Sequence, residues 1–440
     1  MKMILSFLLI TFLLFATPLV GGKAKAQGSA QGTLQLSELI EAALKRNPEI
    51  IAARDRWESA QEIIEAKRAF PDPQFSYTYF VDPIETRVGP QKNVFGAKQT
   101  FPFYGKRDLR ADVASKKAEA LEGTYEAVKQ EIVRQVKRSF YELFYIFKII
   151  DITKEEKEIL KRFEHIARTK YATGKGSQQN ILKVHVEISR LEDRLLTLAN
   201  QKQTAEAMIN TLLDRPADYP LGGPEQPKFR EFFYIQSELF RLSKENRPEL
   251  KAGIALIEKS EKAYSLAEKE YYPDLTIGAN YYQIDKGPLP FPDNGEDAFN
   301  VMFSINIPLW RTKLSSQVRS ASQMVRAQKS EYENILNRTW FQVKDNYFKI
   351  QTARESFDLY KNVLIPQAEQ SMKSAEVGYT TGIVDFLDLL DAERVLLRVQ
   401  FGYWRAYADY LARIADMERA VGKELPEYRP EEVPPDVEED

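Results

Sequence analysis

Two short stretches alternate apolar and polar residues at the period of a β-strand, and the arrangement returns later in the chain. Between Gln74 and Val81, Phe75, Tyr77, Tyr79 and Val81 oppose Ser76 and Thr78, with Phe80 out of step; between Asn93 and Phe103, Phe95, Ala97, Phe101 and Phe103 oppose Gly96, Lys98 and Thr100. In the second occurrence Leu275, Ile277, Ala279 and Tyr281 oppose Thr276, Gly278 and Asn280. Phe299, Val301, Phe303, Ile305, Ile307 and Leu309 then oppose Asn300, Met302, Ser304 and Asn306. Because alternate residues share a strand face, the pattern predicts strands at about 74–81, 93–103, 274–284 and 298–309. Loops from Asp82 to Pro90 and from Asp285 to Asp297 would close two hairpins. Each strand approaches the roughly 9–11 residues that cross a bilayer when tilted.

The rest of the chain carries helical periodicity. Helices are expected from Ser37 to Arg46, with Ser37 as cap, and from Glu49 to Ala69, separated by Asn47-Pro48. After each strand pair a very long helix is predicted, Lys106 to Tyr171 and Arg311 to Tyr379. Apolar residues recur there in steps of three and four, at Ile132, Val136, Phe140, Leu143, Phe147 and Ile150, and at Leu336, Trp340, Val343, Tyr347 and Ile350. That is coiled-coil spacing. About 65 helical residues extend on the order of 95 Å, wider than a compact globular domain. Pro366 should bend the second long helix, since it lacks a backbone donor and crowds the preceding turn. Return helices, Gln178–Leu213 and Val384–Val421, follow the glycine turns at Gly174–Gly176 and Gly378–Gly382.

The two halves repeat in order. Asn47-Pro48-Glu49-Ile50 returns as Arg247-Pro248-Glu249-Leu250, Phe70-Pro71-Asp72 as Tyr272-Pro273-Asp274, Gln135-Val136-Lys137 as Gln342-Val343-Lys344, and Tyr171-Ala172-Thr173-Gly174 as Tyr379-Thr380-Thr381-Gly382. An internal two-fold repeat is therefore expected. It divides the chain into a first repeat at 27–213, an inter-repeat linker and equatorial region at 214–232 rich in Pro and Gly, and a second repeat at 233–424. Residues 425–440, acidic and rich in proline, read as a disordered tail. Residues 1–26 read as a signal peptide: Lys2, an apolar run from Met3 to Val20, then Ala24-Lys25-Ala26.

Composition narrows the function. Among 440 residues there is no cysteine, which removes disulfides and thiolate metal sites. The net charge of −2 gives no reason to expect nucleic acid as a partner. No mature stretch approaches the roughly 20 apolar residues of a membrane-spanning helix, so any membrane crossing falls to the strands. His165 and His185 lie on different predicted helices without ligand spacing and read as surface or packing residues. Gly174-Lys175-Gly176-Ser177 lacks the earlier glycine and preceding strand of a phosphate loop. Most Asp and Glu alternate with Lys and Arg and read as solvated. No cofactor and no enzyme activity are indicated.

Four strands cannot close a barrel, which needs about eight even when filled, and an open edge in lipid leaves backbone groups unpaired. The strands must then pair with other copies of the chain. Two copies supply eight strands and three supply twelve; only twelve leave room for an aqueous lumen. The expected fold is a mixed α and β membrane protein whose assembly is a pore.

At Leu34-Gln35-Leu36-Ser37-Glu38, at Arg46-Asn47-Pro48-Glu49, at Ala420-Val421-Gly422, and above all from Leu364-Ile365-Pro366-Gln367-Ala368 through Gly378-Tyr379-Thr380-Thr381-Gly382-Ile383-Val384-Asp385-Phe386-Leu387-Asp388 to Asp391-Ala392, the chain resembles the TolC-like outer membrane factors. These are the exit ducts of tripartite efflux pumps and type I secretion systems. The resemblance spans essentially the whole mature chain. It implies a homotrimer set in outer membrane lipid and extending into the periplasm: a trimeric 12-stranded β-barrel, four strands per protomer, continued by a long α-helical coiled-coil barrel, a passive channel opened by a periplasmic adaptor protein and an inner-membrane transporter.

It also implies roles for particular residues. Asp385 and Asp388, on one helical face, match acidic positions that ring the periplasmic gate; the bland alternative is that acids near a helix start complement its dipole. The tip turns, Thr173, Gly174, Gly176 and Ser177 with Val377, Gly378, Thr380 and Thr381, are candidate adaptor-docking sites, or simple chain reversals. Tyr77, Tyr79, Phe101, Phe103, Tyr281 and Tyr282 are candidate membrane-interface aromatics, although a buried sandwich core would give the same alternation. The rival class is a soluble periplasmic coiled-coil scaffold or adaptor, which would explain the helices but not the two amphipathic hairpins.

Overall fold

The computed structural model describes residues 32–426 except Leu289 and Phe291. The expected signal peptide and all but the first two residues of the expected tail lie outside them. Those two, Leu425 and Pro426, are not loose: Leu425 is 1 % exposed in the main core and Pro426 accepts a hydrogen bond from the Tyr234 hydroxyl at 3.0 Å.

One element order occurs twice. Helices α1 (Leu36–Arg46) and α2 (Pro48–Arg68), strands β1 (Gln74–Thr86) and β2 (Gly89–Phe101), long helix α3 (Lys106–Ala172) and return helix α4 (Gln178–Leu212) are followed by α5 (Gln236–Asn246), α6 (Pro248–Lys269), β3 (Leu275–Ile284), β4 (Ala298–Ile305), α7 (Arg311–Leu359) with α8 (Ile365–Thr381), and α9 (Phe386–Val421). At 67 residues α3 runs about 100 Å. Equivalent corners are pinned alike: Asn47 Nδ2 donates to the Leu212 carbonyl at the end of α4 (3.0 Å), and Arg247 Nη1 to the Ala420 carbonyl at the end of α9 (3.4 Å).

Local chemistry sets the boundaries. Asn47 caps α2, its side chain accepting from the Glu49 and Ile50 amides (2.9 and 3.3 Å) ahead of Pro48. Ser37 does not cap α1: Gln35 occupies that position, and Ser37 lies inside the first turn. The expected bend at Pro366 takes the form of a π turn over Tyr360–Leu364, with the Ile365 amide bonding back to the Tyr360 carbonyl. A prolyl ring crowds the carbonyl four residues earlier and offers no donor to it, so the ladder slips by one residue just before it.

The sheet is antiparallel in the order β1-β2-β3-β4, leaving β1 and β4 as edges. The second hairpin has its loop where expected. The first does not: β1 and β2 continue to a tight turn at Arg87-Val88, with a register shift between Tyr79 and Ile84. Pro83 has no donor for the ladder, and the strand passes it as a bulge instead of ending. β4 stops at Ile305, short of the expected 309.

The main core lies in the helical body, where Val136, Phe140, Leu143, Ile209, Val343, Tyr410 and Met417 are buried. The inter-repeat segment is part of it. Leu34 pairs with Gly223 and Glu225 through backbone hydrogen bonds of 2.9 Å, and the Phe229 ring stacks between Phe357 (4.7 Å) and Tyr410 (5.0 Å). A second cluster, with Leu160, Phe163, Val184, Phe386 and Leu389, holds the far ends of α3, α4, α8 and α9 together.

Candidate functional site

The strand registers sort side chains into two faces. Tyr77, Phe95, Tyr281 and Phe299 stand opposite one another across all four strands, as do Phe75, Ala97, Ala279 and Val301. This face is apolar and open, with Phe75 81 %, Phe299 68 % and Phe303 71 % exposed. The other face carries hydrogen-bonded polar pairs, Thr100 with Thr276 (2.9 Å) and Asn280 with Asn300 (3.1 Å). A four-stranded sheet that is greasy on its outer side and polar on the other matches one sector of a membrane barrel, and so large an exposed apolar surface is untenable in water.

The candidate interface aromatics divide accordingly. Tyr77, Tyr79, Phe101 and Tyr281 lie on the apolar face. Tyr282 does not: as the strand neighbour of Tyr281 it points to the polar face, where its hydroxyl accepts from Asn300 Nδ2 at 3.0 Å. Phe103 lies beyond the end of β2 and stacks on Tyr272 at 4.5 Å.

At the opposite end of the molecule the chain reverses twice. In the first turn, Thr173 donates through Oγ1 to the Thr169 and Lys170 carbonyls (both 3.1 Å), Gly174 adopts φ +70°, and Ser177 caps α4 by accepting from the Gln179 amide (3.1 Å). In the second, Thr380 and Thr381 donate to the Val377 carbonyl (2.8 and 3.0 Å), and Gly382 takes φ +83°, which favours glycine. Thr173, Gly174, Ser177, Val377, Thr380 and Thr381 are exposed and Gly176 half-buried, but Gly378 is buried. A Cβ there would lie 2.4 Å from Val384 Cγ2, so its missing side chain serves the turn and not an external contact. Ile383, 84 % exposed at this turn, is a surface apolar residue that no periodicity singles out.

Asp385 caps α9, accepting from the Phe386 amide at 2.6 Å, and Asp388 stands in the first helical turn. Both are exposed, and among the described residues neither joins an ion pair. The two reversals are tied together: Lys170 Nζ sits 4.2 Å above the Tyr379 ring and donates to the Tyr379 carbonyl. His165 is exposed, and His185 Nε2 lies 3.3 Å from Glu164 on the surface. Gly174–Ser177 follows a helix, not a strand. No group of three or more residues suited to a metal ion exists among the described residues, and no helix there is long and apolar enough to cross a membrane.

A family model described as outer membrane efflux protein matches residues 39–215 and 239–423, and the chain belongs to that family. It is similar to the cobalt-zinc-cadmium resistance protein CzcC of Cupriavidus metallidurans, 23 % identical over 402 residues covering 90 % of this chain and 91 % of that one. It is also similar to the outer membrane protein TolC of Vibrio cholerae, 20 % identical over 426 residues covering 90 % and 92 %. The solved outer membrane protein VceC of Vibrio cholerae shares the fold, with a TM-score of 0.75, 20 % identity, and coverage of 88 % of this chain and 96 % of that one. The chain is thus an outer membrane efflux channel that extends into the periplasm, a TolC-like outer membrane factor and not an enzyme.

Proposed function

We propose that three copies assemble into a continuous passive duct, in which four strands from each protomer form a 12-stranded barrel and the long helices form a tunnel through the periplasm. The observation that carries this reading is the two-faced sheet with unpaired edges at β1 and β4. In hydrocarbon each unpaired backbone group costs several kilocalories per mole, and pairing β1 of one copy with β4 of the next removes both edges. The repeated element order supports a duplicated protomer, six pseudo-equivalent units in all.

At the periplasmic end the two reversals, Thr173, Gly174, Gly176 and Ser177 with Val377, Thr380, Thr381 and the apolar Ile383, would receive a periplasmic adaptor, which couples the duct to an inner-membrane transporter. Threefold repetition would bring six carboxylates from Asp385 and Asp388 near the axis and favour cations there.

The lack of native cysteine makes the assembly directly testable. Cysteines placed along β1 (Ser76, Thr78) in combination with cysteines along β4 (Asn300, Met302, Ser304) should yield covalent trimers on oxidation in outer membranes for at least one combination, and the purified protein should conduct in planar bilayers. Recovery as a monomer in an osmotic-shock fraction, with no crosslinked trimer, would overturn the proposal.

A further inference from the structure

Two carboxyl groups face each other inside the helical body where acids are not expected. Glu156 on α3 is 4 % exposed and Glu393 on α9 is 3 % exposed. Their carboxyl groups lie within hydrogen-bonding reach of each other where α3, of the first helical hairpin, packs on α9, of the second. Along both helices the pair is bracketed by apolar layers: Leu160, Leu389 and Leu390 toward the reversals, and Ile149, Leu198 and Phe401 toward the main core.

The surroundings do not neutralise two negative charges. On α3, Arg162 acts on Glu156 only at a distance, the Thr153 hydroxyl is engaged with the Ile149 carbonyl (2.6 Å), and Lys157 pairs with Glu192 of α4 (2.8 Å). From α4 a third carboxylate, Glu187, acts on Glu393; it takes Arg190 (2.8 Å) and also Arg394 of α9, the cation that acts on Glu393. Glu156 Oε1 is buried without a partner. Two carboxylate anions cannot hydrogen-bond each other, because neither has a proton to donate; a carboxylic acid and a carboxylate can, and strongly. Burial, followed by the bond and charge of Glu156, pushes Glu393 up to about 10, and burial pushes Glu156 up as well. Among the described carboxyl groups only these two are raised; every other resolved shift is downward.

We infer that Glu156 and Glu393 share one proton and form a latch between the two helical hairpins, closed while the proton is held and parted when it is lost. When the hairpins separate, both groups reach water, recover ordinary acidity and release the proton to solvent at periplasmic pH. Separation therefore becomes easier as pH rises. The latch is a property of the folded chain itself; only its effect on conduction rests on the channel reading, and the test below does not use conduction.

The sign follows from the raised values. The pair's contribution to stability is fully present below the ordinary glutamate range, near 4.5, and is lost as pH rises toward the raised value. Infrared spectra of the purified protein at pH 8 should show the C=O stretch of a protonated carboxyl, absent from Glu393→Gln and from Glu156→Gln. The thermal midpoint of the native protein should fall between pH 5.5 and 9 relative to Glu393→Gln, whose amide keeps the donor at every pH. Absence of a protonated carboxyl from the native protein at pH 8 would overturn the latch even if both variants failed to fold. Parallel melting profiles would overturn it too, as would a divalent cation that raised the midpoint while removing the carboxyl band.

Discussion

Lys106 Nζ lies 2.9 Å from Asp274 Oδ1 and joins the turn that leaves the first strand pair to the turn that enters the second. The lysine is 1 % exposed, and its ammonium also donates to Glu270 (3.2 Å) and to the Tyr272 carbonyl (2.9 Å), so all three donors are engaged. Asp274 accepts in addition from the Phe103 amide (2.8 Å). The node fixes how the sheet stands on the helices.

Replacing Lys106 with methionine keeps most of the apolar stem and takes the ammonium from Asp274, while Arg110 still reaches Glu270 (3.4 Å). A loss of about 1–3 kcal/mol is expected, read as a lower thermal midpoint. Burial alone would raise Asp274, but Lys106 and the Phe103 amide outweigh it and hold the carboxyl below its ordinary range. The resulting stability is present above that range and lost as pH falls through the depressed value. Lys106→Met should accordingly show a shallower loss of stability on acidification than the native protein.

Gly402 of α9 faces the ring of Tyr360 in the π turn. A Cβ at Gly402 would stand 2.4 Å from Tyr360 Cε1 and Cζ. Gly402→Ala should cost about 1–3 kcal/mol through overcrowding, and Tyr360→Leu should recover part of it. Additive effects of the two changes in a double-mutant cycle would show that the ring and the glycine are not coupled.

Asp385 combines a cap with a charge, and the two can be separated. Asp385→Ser keeps an acceptor for the Phe386 amide and removes the charge, whereas Asp385→Ala removes both and should cost a further ~1 kcal/mol. If the carboxylates act on ions, Asp385→Ser combined with Asp388→Asn lowers cation preference in single-channel recordings at unchanged stability. Unaltered selectivity would leave Asp385 as a cap alone.

Lys170 and Tyr379 tie the two reversals. Lys170→Met removes a cation–π contact of about 0.5–1 kcal/mol together with a hydrogen bond, while keeping the apolar stem. Faster proteolysis at 173–177 and a larger single-channel conductance are expected. A change confined to the overall melting temperature would place the contact among ordinary packing interactions.

Much of the fold is legible along the chain because its signals are local. Strand alternation at Phe75–Tyr79 and Leu275–Tyr281, the three-and-four spacing of α3, and the glycine at 382 each report on residues near in sequence. What escapes reading depends on distant partners. Tyr282 looks like Tyr281 until the alternation is followed through the ladder to Asn300. Phe229 sits in a segment full of Pro and Gly that reads as a linker, yet its ring lies between Phe357 and Tyr410. Glu156 belongs to a run of charges that reads as solvent-facing, and only the approach of Glu393 from the second half takes it out of water. Gly378 reads in sequence as one more small residue of a docking turn or chain reversal, and only the fold shows the Val384 side chain packed against it.

The bare borders of the sheet bear on how the molecule is made. The helical body has its own hydrophobic interior and can fold from contacts within one chain. In the assembly proposed above, the strands are completed only when sister molecules and lipid are present. A freshly exported molecule therefore travels with two sticky ribbons that would zip onto any similar ribbon they met, so assembly is a race between correct neighbours and aggregation, and its yield should depend on how quickly the right neighbours arrive.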